Sequence, residues 1–167
     1  LNFTLVDRIT DLVPGKTIQA IKQVSMAEEY LADHFPRFPV LPGVMMLESA
    51  VETAAWLVHK HTQFAKSLVV LKEARQIRYG NFVTPGETLV VTAEAMRIDP
   101  SESEFKIRGV VGNATAIQGK LVLSHVSLSD SDAAMAAVDE KIIQQRKARW
   151  AILQPDRPAS TTGQVDR

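Results

Sequence analysis

His34-Phe35-Pro36-Arg37-Phe38-Pro39-Val40-Leu41-Pro42-Gly43-Val44-Met45-Met46-Leu47-Glu48 is the stretch from which the rest of the chain can be placed. Pro36, Pro39 and Pro42 forbid helix or a central strand there, and each pushes the residue before it toward extended geometry. The segment therefore reads as a stiff, ordered loop. From Val44 to about Lys60 the pattern becomes helical. Val44, Leu47, Ala50, Val51, Ala54, Leu57 and Val58 recur at i, i+3, i+4 and i+7 spacing, with Glu48, Ser49, Glu52, Thr53, His59 and Lys60 on the other face. Pro42 stands at the helix entry, where its missing N–H costs nothing.

Working outward, Val6–Leu12 and Thr17–Val24 flank Val13-Pro14-Gly15-Lys16, which predicts a hairpin, and Met26–Ala32 suits a short helix. After the long helix the pattern favours strands at Ser67–Glu73, about Ile77–Val83, Thr88–Arg97, Glu104–Val111 and Thr115–Ser127. Thr84-Pro85-Gly86-Glu87, Asp99-Pro100-Ser101-Glu102 and Gly112-Asn113 are the turns. A hairpin, one long helix and then an antiparallel meander make an α+β plan with the helix covering one sheet face. Ser129-Asp130-Ser131-Asp132 resembles a capping box opening a second helix that runs to about Ile152 through Met135, Val138, Ile142, Arg149 and Leu153. Residues 155–167 are rich in Pro, Ser, Thr, Gly and charge, the composition of a disordered tail.

Composition excludes several roles. Nineteen basic and nineteen acidic residues cancel among 167, which removes the electrostatic case for nucleic acid or an anionic membrane as main partner. With no cysteine there is no disulfide, thiolate metal site or cysteine nucleophile. No apolar run approaches the roughly 20 residues needed to span a bilayer, and the first residues lack the layout of a signal peptide. A cytoplasmic location is the expectation. His59 and His61, two apart on a helix, point different ways and do not converge on one ion. With His125 they read as surface histidines, and no metal is expected.

The chemistry concentrates between His34 and Glu48. A histidine stands at the mouth of the stiff loop, and a carboxylate sits in the second turn of the helix which that loop feeds. The amides of Gly43 and Val44 have no partner within the helix and can point at an oxygen bearing negative charge. A proton acceptor, a proton donor and an anion-stabilising helix end on one segment are equipment for removing a proton next to a carbonyl and expelling a β-hydroxyl.

The spaced pattern His34-Phe35-Pro36-x-x-Pro39-Val40-x-Pro42-Gly43-Val44-x-x-x-Glu48 resembles the (3R)-3-hydroxyacyl-acyl carrier protein dehydratases of bacterial fatty acid synthesis. Leu5-Val6-Asp7-Arg8 is similar to that family's opening strand and Val83-Thr84-Pro85-Gly86-Glu87 to its later turn. The likeness runs over roughly Phe3–Ser127. It implies the hotdog fold, an antiparallel sheet wrapped around a central helix, over 1–128; the helix at 129–153 extends beyond the family's usual end, and 154–167 is the tail. It implies that His34 removes the C2 proton, that Glu48 assists departure of the C3 hydroxyl as water, and that the Gly43 or Val44 amide polarises the thioester carbonyl. Phe35 and Arg37 are then candidate substrate contacts. The family needs no cofactor, acts on substrates carried by acyl carrier protein, and builds its sites at a homodimer interface. An apolar tunnel there takes the acyl chain, and trimers of dimers are common.

Arg37 stands where the family usually has glycine. If that glycine required positive φ or gave the thioester access, Arg37 would restrict the loop or reshape the entrance. Glu52 stands where the family often has glutamine. As an i, i+4 neighbour of Glu48 it would keep one carboxyl protonated, or else reach solvent or serve structure. The family's Arg-Pro pattern is also lost around Ile77–Phe82. Met45 and Met46 read as core, either able to line a tunnel. Lys141, Arg146, Lys147 and Arg149 read as a solvated helix face, with docking of an acidic carrier protein as the alternative. Two other roles suit the same fold: an acyl-thioesterase, against which His34 argues, and a non-catalytic acyl-binding subunit, against which the His34–Glu48 pair argues.

Overall fold

A computed structural model describes residues 4–154. The elements follow in the order β1 (Arg8–Val13), β2 (Thr17–Gln23), α1 (Gly43–His61), β3 (Leu68–Tyr79), β4 (Thr88–Ile98), β5 (Glu102–Val111), β6 (Ala114–Val126) and α2 (Ala136–Leu153). The strands make a single six-stranded sheet in the order β1-β2-β4-β5-β6-β3, antiparallel throughout. Helix α1 lies across it, against β2, β3, β4, β5 and β6. This is the hotdog arrangement the resemblance implies.

Alternation along the strands sets which face meets the helix. In β5, Ser103, Phe105, Ile107 and Gly109 turn inward while Lys106 and Arg108 turn out. Ile18 and Ala20 of β2, Leu89, Val91 and Ala93 of β4, and Ile117, Leu121 and Leu123 of β6 complete the inner face against Ala50, Ala54, Leu57 and Val58 of α1. The small Ala50 and Ala54 let the helix approach the sheet closely.

Four expectations need correction. The segments 67–73 and 77–83 are not two strands but one, β3, interrupted by a bulge between Arg75 and Arg78 where Gln76 takes φ +53°. The chain then leaves the sheet, so residues 80–82 form a loop. The polar side of α1 is only partly solvated: Ser49, Thr53 and His59 are buried, while Glu48 and Lys60 are exposed. Ser49 Oγ donates to Met45 O at 2.8 Å and Thr53 Oγ1 to Ser49 O at 2.7 Å, so both hydroxyls are satisfied inside the helix and can face apolar neighbours. Helix α2 covers the part of α1 around Trp56, where Trp150 packs on the Trp56 ring with centroids 5.9 Å apart.

The capping box falls two residues earlier than the sequence suggests. Ser127 and Asp130 form it and open a 3₁₀ turn, a second short turn follows, and α2 begins only at Ala136. The reason is Asp139, whose carboxylate accepts from the amides of Leu128 and Ser129 (2.9 and 2.8 Å) and from Ser67 Oγ. Ser129 is thereby fixed inside the first turn. These bonds hold Asp139 well below the usual carboxylate range, with the Ser129 and Ser67 side chains the largest causes. Finally, His59 and His125 are buried rather than on the surface, while His61 is exposed. His125 meets Ser103 Oγ and Pro100 O, whereas burial drives His59 down to about 4, with the charge of Arg146 adding to the effect. The tail expected at 155–167 lies outside the described residues. Among those residues no helix is long and apolar enough to cross a membrane.

Candidate active site

The proline-stiffened loop closes on itself around His34. Val40 N donates to His34 O at 3.0 Å, and the imidazole Nδ1 lies 3.1 Å from Val40 O. A carbonyl can only accept, so Nδ1 carries the proton and Nε2 keeps its lone pair. The ring is also stacked on Phe35, centroids 4.3 Å apart. The loop therefore fixes both the tautomer and the tilt of the imidazole.

Leu41 N then bonds Val83 O at 2.8 Å, tying the loop to the chain beyond β3, and α1 starts two residues later. The amides of Met45 and Met46 are taken by Pro42 O, leaving those of Gly43 and Val44 without an acceptor among the described residues. Gly43 sits in a close approach: a Cβ there would lie 3.1 Å from the Tyr79 ring, which would have to give way slightly. His34, Val40, Leu41, Gly43, Met46 and the loop 79–82 enclose a cavity of about 270 Å³.

That loop is a part of the site sequence reasoning missed. Gly80 N bonds Ala116 O at 2.9 Å, and a Cβ on Gly80 would lie 2.4 Å from Thr115 O. Asn81 Nδ2 donates to Thr115 O at 2.9 Å. The Gly80-Asn81 pair was a turn signal that reading 77–83 as a strand obscured. Around the cavity, Phe35, Phe38, Val44, Tyr79 and Phe82 are all at least half exposed, an apolar rim larger than scattered surface residues explain.

Glu48 is placed elsewhere. At 100° per residue it lies about 200° around α1 from Met46, on nearly the opposite face from the His34 cavity. It opens on a separate space of about 80 Å³, shared with Glu52, Trp56, His59 and Arg146. So the structure joins His34 with Gly43 and does not join either with the Glu48 of the same chain.

Glu52 neither reaches solvent freely nor is tuned by Glu48. Its carboxylate accepts from the amides of Leu5 (2.8 Å) and Val6 (3.1 Å), fastening the N-terminal segment to α1. Burial raises its pKa, against the lowering effect of those two amides. Arg37 is exposed and outside the cavity lining, and so is Phe35. Arg37 occupies a turn in which Phe38 N donates to Phe35 O at 3.0 Å, and its φ is not positive. The substitution at this position accordingly neither strains the loop nor fills the pocket mouth.

A FabA-like domain model matches residues 1–125. The 3-hydroxyacyl-(acyl-carrier-protein) dehydratase FabZ of Ralstonia nicotianae is 36% identical over 121 residues, covering 71% of this chain and 74% of that protein. This chain belongs to the FabZ dehydratase family. The FabZ of Albidiferax ferrireducens is 34% identical over 122 residues, 71% of this chain and 81% of that one. Among solved structures, the dehydratase heterocomplex ApeI:P from Xenorhabdus doucetiae superposes with a TM-score of 0.65 at 16% identity, covering 80% of this chain and 90% of that one. The PaaI protein of Escherichia coli gives 0.54 at 14%, over 71% and 78%. At those identities the two structures share the hotdog fold alone.

The FabA-like domain match ends at residue 125, within the last strand, so α2 lies beyond it. Its basic residues divide: Lys141 and Lys147 are exposed, with Lys147 Nζ 5.9 Å from the centre of the Phe64 ring, while Arg146 and Arg149 are half-buried.

Proposed function

We infer that this FabZ-family chain dehydrates (3R)-3-hydroxyacyl thioesters carried by acyl carrier protein, giving trans-2-enoyl thioesters and water in fatty acid or related lipid synthesis. The observation that carries the reading is the His34 cavity at the start of α1. An imidazole with its Nε2 lone pair unengaged faces the same space as the unpartnered amide of Gly43. Thioester oxygen bound at that amide gains negative charge as the C2 proton leaves, and a helix N-terminus stabilises that charge. His34 Nε2 is the base. Departure of the C3 hydroxyl needs a proton, which Glu48 supplies.

Because the Glu48 of one chain faces away from its own His34, the acid comes from a second copy. Two features support a homodimer. Strand β3 is the last in the sheet order, with an edge unpaired among the described residues along which Val70 and Leu71 are exposed, and edges of this kind pair with another strand. The apolar rim of Phe35, Phe38, Val44, Tyr79 and Phe82 would be covered by the same partner, leaving a channel for the acyl chain. Trimers of such dimers suit the family resemblance.

The test is turnover of a 3-hydroxyacyl thioester followed by enoyl absorbance, with free thiol measured in parallel. His34→Ala and Glu48→Gln should each lower kcat by about 100-fold or more without altering folding or dimerisation. Near-normal rates in both variants, or release of thiol in place of enoyl product, would overturn the assignment.

A further inference from the structure

We propose that the outer face of the sheet where β3, β6 and β5 meet is the docking surface for the acidic acyl carrier protein. The proposal rests on the dehydratase reading and adds where the carrier sits. A groove of about 390 Å³ runs there, lined by Gln76, Ile107, Gln118 and Gly119 and by four cations, Arg78, Lys106, Arg108 and Lys120. None of the four has an ion-pair partner among the described residues. Glu94, across from Lys106 on β4, makes no ion pair with it.

The contrast with the other end of the same sheet is what points to a partner. There Lys72 pairs with Glu102, Arg75 with Glu73 and Glu104, and Arg97 with Asp99 and Glu102. In the groove, by contrast, register sets Lys106 directly opposite Lys120. Like charges across a strand pair are destabilising. In a chain of zero formal charge, four cations on three strands with no ion-pair partner among the described residues are a local excess that an acidic surface would neutralise.

The groove also adjoins the site. Arg78 precedes Tyr79, Gly80 and Asn81, which line the His34 cavity. Arg108 donates to Thr115 Oγ1 at 2.9 Å while Asn81 donates to Thr115 O at 2.9 Å, so one residue holds both the groove wall and the cavity wall. A carrier resting here presents its thioester arm at the mouth beside Phe82. Of the α2 cations, Arg146 and Arg149 are half-buried, and none of Lys141, Arg146, Lys147 and Arg149 lines the groove or the His34 cavity.

The test compares one acyl group on acyl carrier protein and on N-acetylcysteamine, using the full chain. Lys106→Glu/Lys120→Glu should raise KM for the carrier-borne substrate by about tenfold or more, with kcat unchanged. The N-acetylcysteamine thioester should be turned over as by wild type. Lys106→Gln/Lys120→Gln should give a smaller change in the same direction, and serves if charge reversal impairs folding. Arg97→Glu, at the paired end, should leave both substrates within about twofold. Equilibrium binding of the carrier protein is measured alongside. Equal loss on both substrates, or undiminished carrier binding by the groove variants, overturns the proposal. Should wild type dehydrate neither substrate yet bind carrier through the groove, the docking surface stands and the dehydratase reading falls.

Discussion

His34 and Glu48 of one chain open onto different cavities, on nearly opposite sides of α1. If both act in one reaction, each site takes its base from one protomer and its acid from the other. Mixing the His34→Ala and Glu48→Gln chains then restores activity, because a heterodimer holds one site with both groups intact. Random pairing makes half of the dimers mixed, each with one working site of two. The mixture should recover about a quarter of wild-type activity. Recovery no greater than the sum of the two inactive parents would place the complete site within one chain.

Gly80 lies with its α-carbon hydrogen toward Thr115 O, so close that a methyl group cannot enter. Because the obstruction is backbone within paired strands, Gly80→Ala should displace the loop carrying Asn81 and Phe82. The expected cost is about 1–3 kcal/mol of stability, with a larger loss in kcat/KM. Thermal unfolding and turnover, measured together, check both parts; wild-type values for each would refute the role given to this loop.

The buried imidazole of His59 makes stability depend on pH. Its folded pKa, about 4, lies below the ordinary value of 6.5, so between those values the unfolded chain takes a proton that the folded chain refuses. Stability from this group is complete above about pH 6.5 and is lost as pH falls toward 4, by up to about 3 kcal/mol. His59→Gln, neutral throughout, should flatten that part of the pH–stability curve. An unchanged slope between pH 6.5 and 4 in the variant would contradict this.

Asp139 ties α2 to Leu128, Ser129 and Ser67. Since its pKa is depressed, its contribution is present at neutral pH and is lost only in strong acid, below the ordinary carboxylate range. Asp139→Asn should loosen α2 at pH 7 and lower Tm. Trp150 would leave Trp56, so tryptophan emission should shift red. Blue emission retained in a destabilised variant would mean α2 is held by its apolar contacts alone.

Removing the carboxylate of Glu52 strands the amides of Leu5 and Val6. Glu52→Ala should cost about 1–3 kcal/mol, while Glu52→Gln, which can still accept, should cost less. Denaturant titration distinguishes the two, and equal losses would show that the amides are not what Glu52 serves.

The loop from His34, the helix it feeds and the positions of Gly43 and Glu48 were legible because proline geometry and helical spacing act over a few residues. The same locality explains what was not legible. Ser49, Thr53 and His59 read as a solvated stripe, since nothing in their own neighbourhood announces that distant elements, such as the α2 that sets Trp150 on Trp56, bury this helix. One strand read as two because Gln76 carries no mark of the bulge that joins 68–75 to 77–79. The capping box was displaced because Asp139, ten residues beyond Ser129, takes that residue's amide.

By itself, then, the order of residues determined an α+β hotdog, the stiff loop and the chemical types at positions 34, 43 and 48. Only the folded chain decided that Tyr79–Phe82 closes the cavity, that Glu48 turns from its own His34, and that unpaired cations gather beside the site. Periodicity and backbone restriction are short-range, whereas each of those three outcomes depends on which distant strand or helix a side chain meets.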